Sequence, residues 1–229
     1  MSDKEQTSVE YREHYVPGRN ATERGPMVPT TEGPAHPSGI ANPVPMGLFA
    51  FAGTTFILSM VNVQTRAVTH SNIVLGMAMF AGGLTQFIAG MWQFPRGNVF
   101  GATVFSSYGS FWMSYGSIFI PFFGIADAYE DPQELANAIG IYLIVWLMLT
   151  LFFLLAVIRV NLAYSSLLGV FSMCYTTLIA AEFTGSVRLT KAGGVFGIAG
   201  ALIAYYIGVS EMLEAEKTAI VRLPLGVWQ

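Results

Sequence analysis

The chain has 229 residues, of which 53% are hydrophobic and 11% charged, with a net charge of −3. A soluble domain carries about 25% charged residues to cover its exterior, so these numbers exclude a water-soluble globule and mark a multi-pass membrane protein. The small net charge, with no basic cluster, excludes a nucleic-acid partner, and the single cysteine, Cys174, leaves neither an intramolecular disulfide nor a Cys-based metal site.

Residues 1–41 hold Lys4, Arg12, Arg19 and Arg24 among acidic and polar residues and no apolar run. They read as a disordered cytosolic tail and not as a signal peptide, which needs a hydrophobic core. Asn20-Ala21-Thr22 is a glycosylation sequon, unused if the tail is cytosolic. His14, His36 and His70 are scattered and carry no expected chemistry.

At Asn42 the tail turns into an apolar segment. Asn42 suits an N-cap, Pro43 the first helical position and Pro45 the rest of the first turn, so the two prolines set where the helix begins. The free amides of that turn offer a partial positive charge to an anion; they equally suit a plain capped start at a membrane surface. Six apolar segments follow, near 44–63, 73–94, 99–125, 136–158, 161–182 and 193–210, each close to the roughly 20 residues that span a bilayer. Only Arg159-Val160-Asn161 separates the fourth from the fifth, which predicts a tight helical hairpin. The expected layout is a six-helix transport domain over 42–210 and a cytosolic C-terminal tail over 211–229.

The Lys and Arg distribution orients the chain. With both termini cytosolic, the inner side holds Lys4, Arg12, Arg19, Arg24, Arg96, Arg159, Lys217 and Arg222, and the outer side only Arg66, Arg188 and Lys191. The acidic loop with Asp127, Glu130, Asp131 and Glu134 falls outside. A faint repeat pairs Val99-Phe100-Gly101 with Val195-Phe196-Gly197, and Thr85–Ala89 with Thr176–Ala180. That pairing suggests two inverted three-helix units, as in many transporters.

On the second segment Gly76, Met79, Gly83, Gln86, Gly90 and Gln93 share one helical face. The third carries Ser107, Ser110, Ser114 and Ser117, and the sixth Gly193, Gly197, Gly200, Ala204 and Gly208. Small residues serve close packing of membrane helices. The glutamines and the serine ladder fit a water-containing path better, since lipid does not solvate them. Glu182, at the outer end of the fifth segment, is either a proton-coupling carboxyl group at membrane depth or a wetted group at the interface beside Arg188 and Lys191. Aromatic residues are dense, among them Phe51, Tyr108, Phe111, Trp112, Tyr115, Tyr142, Trp146, Phe171, Tyr205 and Tyr206; rings of this kind pack against lipid or narrow a pore. No phosphate loop, metal-ligand spacing or nucleophile elbow is present, so neither an enzyme nor a cofactor or metal site is expected.

The residues from Asn42 to Phe51 match the signature of the acetate uptake transporter family, Asn-Pro-(Ala/Val)-Pro-(Leu/Phe)-Gly-Leu-x-(Gly/Ser/Ala)-Phe, except at Met46. Phe80-Ala81-Gly82-Gly83 with Gln86, Gly97–Gly101, Ser107–Trp112 and Phe183-Thr184-Gly185 extend the likeness over about residues 41 to 210. The chain resembles that family, which includes bacterial succinate–acetate permeases and fungal acetate and ammonia-export proteins. The resemblance implies an all-α fold of six helices per protomer, a hexameric ring, and proton-coupled uptake of acetate and related short carboxylates at the plasma membrane. It places the constriction on Phe51, Tyr108 and Phe171, and substrate binding is expected on Asn42, Pro43, Pro45, Gly47 and Leu48 at the helix start, with Thr54, Thr55 and Gln86 further along the path. Phe171 stands where the family has leucine, Gln93 where it commonly has glutamate, and Glu182 where it commonly has asparagine. The rival readings are a channel for ammonia or a small neutral solute, and a non-transporting acetate or ammonium sensor.

Overall fold

The structure, a computed structural model, describes residues 39–216 and 218–226. The sequon, Lys217 and most of the expected N-terminal tail lie outside the described residues. Six long helices run through the rest: α1 Val44–Asn62, α2 Asn72–Arg96, α3 Val99–Ile118, α4 Pro132–Val157, α5 Leu162–Thr184 and α6 Val187–Ala215. All but α3 are long and apolar enough on length and composition to cross a membrane; α3 is as long but carries the serine ladder. Their outward faces agree with a lipid setting. Phe80, Leu84, Ile88 and Trp92 along α2, and Ile141, Val145, Met148, Phe152 and Leu155 along α4, are large, apolar and exposed at helical spacing.

Two helices have ends well away from the sequence reading. The third span stops at Ile118, not near 125, because Pro121 has no amide to continue the ladder and Ile120 is extended; 3₁₀ turns at Pro121–Phe123 and Ala126–Ala128 fill the loop before α4. The sixth starts at Val187, not 193, and runs to Ala215, not 210. Gly185, at φ +64°, reverses the chain in one residue after α5, and nothing from Val187 onward breaks a helix. Val195-Phe196-Gly197 therefore lies two turns inside α6, whereas its counterpart Val99-Phe100-Gly101 opens α3 behind the Asn98 cap.

The α4–α5 hairpin is as tight as its sequence predicted. Asn161 caps α5 by accepting from the amides of Ala163 (2.8 Å) and Tyr164 (3.3 Å). The segment after α6 folds back on that same end: Leu162 and Ala163 donate to the carbonyls of Gly226 and Leu225, Ser210 to Leu223 and Tyr206 to Pro224.

In the interior α1 packs against α6 and α2, α5 lies between α4 and α6, and α2 lies along α3. Glycines set the closest approaches. A Cβ on Gly90 would stand 2.5 Å from the Ser106 amide nitrogen, and one on Gly109 2.6 Å from that of Phe87, so α2 and α3 meet backbone to backbone. The middle of α2, Met77–Thr85, is π-helical. Its wider turn presents Gly82 to α1 and α3, where a Cβ would meet Thr54 Oγ1 at 2.7 Å and the Trp112 ring at 2.8 Å.

Candidate functional site

The start of α1 is built from the residues expected to build it, shifted by one. The helix begins at Val44, with Pro43 in the capping position and Pro45 in the first turn; the Pro43 carbonyl accepts from Gly47 at 3.1 Å. Asn42 was expected as the N-cap. It lies one residue further out, yet its Oδ1 still accepts from the Val44 amide at 3.1 Å. Its Nδ2 is also engaged, donating to Glu211 Oε2 at 3.1 Å. Glu211 comes from the last turns of α6, a stretch read as tail from sequence, and it is 3% exposed. The Asn42 side chain at the start of α1 therefore already holds a carboxylate, one that the chain supplies itself. Pro43, Gly47 and Leu48 are buried, and Pro45 is half-buried.

Two turns into α1 the three expected constriction residues come together. The Phe51 ring centroid lies 4.8 Å from that of Phe171 on α5 and 5.5 Å from that of Tyr108 on α3, and all three side chains are buried. The collar is braced from behind. Tyr108 packs edge-on against Phe153 and shares a 2.8 Å hydrogen bond with Thr150, which in turn donates to the Trp146 carbonyl at 2.7 Å. Phe171 rests on α6 at Gly200, where a Cβ would come within 2.4 Å of its ring. Beyond the collar the rings continue through Tyr175 and Phe111 to Tyr115 and Tyr142, the last two stacked on Phe111.

The remaining expected residues divide. Thr54 is buried and spends its hydroxyl on the Ala50 carbonyl at 2.9 Å, with Met77 O at 3.4 Å. Among the described residues, buried Thr55 has no partner for its Oγ1 and buried Gln86 none for its Oε1. Gln93 and Trp112 join them: both amide atoms of Gln93 and the indole nitrogen of Trp112 are buried without a hydrogen bond among the described residues. Gln86 and Gln93 lie two turns apart on one face of α2, and Gln93 sits beside Gly101 and Asn98 at the start of α3. A buried polar group left unpaired costs about 1–3 kcal/mol, so four such residues in one three-helix interior mark a place for water or a polar solute. Glu182 is not brought to the collar. It is half-buried at the C-terminal end of α5, where its backbone carbonyl accepts from Gln133 at 3.4 Å.

Sequence reasoning missed Glu211, Tyr164, Thr150 and the role of Trp112, whereas it already put Gln93 with Gln86 on a water-containing path. The apolar residues Ile207, Met212 and Leu213 carry the helical pattern past 210 and were the available signal for Glu211.

Residues 24–226 match the GPR1/FUN34/yaaH family. Ammonia transport outward protein 2 of Saccharomyces cerevisiae is 40% identical over 195 residues, covering 85% of this chain and 69% of that protein. Acetate transporter protein patA of Aspergillus clavatus is 38% identical over 204 residues, covering 86% and 81%. A solved structure, that of the bacterial acetate channel SatP, superposes with a TM-score of 0.73 at 30% identity, over 82% of this chain and 99% of the other.

Proposed function

The chain belongs to the GPR1/FUN34/yaaH family, and from that premise we propose that it takes up acetate and related short carboxylates across the plasma membrane, coupled to protons, along a path inside each protomer of a hexameric ring. The observation that carries the reading is the buried collar of Phe51, Tyr108 and Phe171 close to the start of α1, in a chain 30% identical to a structure named as an acetate channel. The path starts at Asn42, Pro43, Pro45, Gly47 and Leu48, runs by Thr54, Thr55 and Gln86, and is bounded by the collar. Side-chain amides and hydroxyls replace part of the water around a carboxylate, while the rings pass only a small flat acid. Glu182 serves as the outer proton-coupling candidate. Two inverted three-helix units fit the packing, since α2 and α5 are each flanked by the other helices of their own half. The Lys and Arg distribution supports cytosolic termini.

Reconstituted protein should take up labelled acetate faster when the donor side is acid, beyond the leak of protein-free liposomes. Asn42→Ala and Tyr108→Ala should each lower that uptake without lowering the amount of protein in the membrane. No excess over the leak removes acetate as the substrate; unchanged uptake in both variants removes the signature and the collar from the path.

A second reading has one specific observation behind it, the relative named as an ammonia transport outward protein. Ammonium, formate and urea offered as competitors separate the two, because a carboxylate path yields to formate alone.

A further inference from the structure

The inner end of the proposed path holds a carboxylate that the transport reading does not use. Glu211 is 3% exposed, and its oxygens are divided between two side chains from different parts of the fold. Asn42 Nδ2, just before α1, donates to Oε2 at 3.1 Å, and the Tyr164 hydroxyl on α5 donates to Oε1 at 3.5 Å, a long bond. Two other charged groups face it: Arg96 at the end of α2, which also donates to the Ile40 carbonyl, and Glu214 one turn along α6. The end of a glutamate side chain, CH₂–COO⁻, is chemically close to acetate, CH₃–COO⁻. Asn42 and Tyr164 thus hold, within the protein, the kind of group that the path is proposed to carry.

We propose that Asn42 and Tyr164 form an inner carboxylate site which Glu211 occupies at rest, and that a transported acid passes only by displacing this side chain or after it has been neutralised. The proposal rests on the carboxylate-transport reading and deepens it. Two carboxylates cannot share one pair of donors in a buried place without strong repulsion, so Glu211 competes with substrate at the inner mouth. The competition also ties flux to pH at that mouth. A proton bound by Glu211 removes the like charge.

The test is the acetate concentration giving half-maximal uptake into proteoliposomes at pH 7.5 and pH 5.5, with uptake by protein-free liposomes subtracted. Glu211→Gln keeps the shape and removes the charge. It should lower half-saturation at pH 7.5 by at least about fivefold, because a like-charge contact is relieved, and should abolish any further fall at pH 5.5. Tyr164→Phe removes one donor and should raise half-saturation at both pH values. Glu134→Gln, exposed in the first turn of α4 at the opposite end of the bundle, should leave it unchanged. Size-exclusion profiles and melting curves check that each variant is folded; should Glu211→Gln fail to fold, the Tyr164→Phe result decides. A wild type without saturable uptake overturns the transport reading itself. Saturable wild-type uptake, with half-saturation unmoved by Glu211→Gln or, failing that, by Tyr164→Phe, overturns the inner-site proposal alone.

Discussion

The aromatic collar and the polar row between α1, α2 and α3 are built on opposite terms. In the collar the polar atoms are paired: Tyr108 with Thr150, and Thr150 with the Trp146 carbonyl, behind rings in mutual contact. In the row, Thr55, Gln86, Gln93 and Trp112 bury donors and acceptors that no described residue meets. A barrier to ions works by offering nothing that replaces water, and paired polar groups behind rings do that. Orphan amides do the reverse, since their cost is recovered only when a polar guest arrives. On the proposed transport reading, the contrast separates the part of the interior that excludes from the part that admits.

The largest effect on this arrangement should come from the backbone contact that holds the row in place. Gly90→Ala puts a methyl group 2.5 Å from the Ser106 amide nitrogen and 3.1 Å from the Ala102 carbonyl oxygen, both backbone atoms that cannot step aside. Overpacking of this kind costs about 1–3 kcal/mol, and with no flexible side chain to yield the upper end is expected. A melting curve of purified protein should show a large drop for Gly90→Ala. A melt within a degree of wild type would mean that α2 and α3 slide freely, and that the row has no fixed geometry.

Next in size are changes to the collar that alter its width from either side. Phe171→Leu removes part of a ring packed on Phe51 and should raise the uptake of propionate relative to acetate, since each methylene in a tight pocket is worth about 1–3 kcal/mol of discrimination. Gly200→Ala acts oppositely. Its Cβ would reach 2.4 Å from the Phe171 ring and push it toward Phe51, so the propionate-to-acetate ratio should fall. Ratios moving together in the two variants would take Phe171 out of the constriction.

Much of this fold was legible in the sequence because hydrophobic length is a blunt and reliable signal. The tight α4–α5 turn followed from the few residues between two apolar runs, and the start of α1 from an asparagine and two prolines. The early stop of α3 was hidden because Phe119, Ile120, Phe122 and Phe123 are as apolar as the span they follow; only Pro121 marks the break. The collar was legible through the family signature and not through periodicity, since ten scattered aromatic residues give no reason to select three. Glu211 was hidden for another reason. With Glu214 and Glu216 beside it, it reads as part of a solvated end, and its partner Asn42 lies 169 positions away. A charge cluster is judged by its neighbours in sequence, whereas burial is decided by neighbours in space.

The smallest expected change in stability is also the one that tests the contrast most directly. Gln86→Leu keeps the approximate volume while deleting an acceptor that has no partner. If the row is a dry core like the collar, losing an orphan polar group should raise stability by up to about 1 kcal/mol and leave transport alone. If it admits a polar guest, that same substitution withdraws a group that the guest uses. The expected outcome is a melting temperature equal to or slightly above wild type, with acetate uptake reduced severalfold. Thr150→Val provides the counterpart in the collar. It breaks the 2.8 Å bond to Tyr108, strands the buried tyrosine hydroxyl, and should lower the melting temperature. Opposite signs of the two stability changes would place Gln86 in the admitting part of the interior and Tyr108 in the excluding part. A lowered melt for Gln86→Leu would instead give that amide a structural partner and merge the two regions into one.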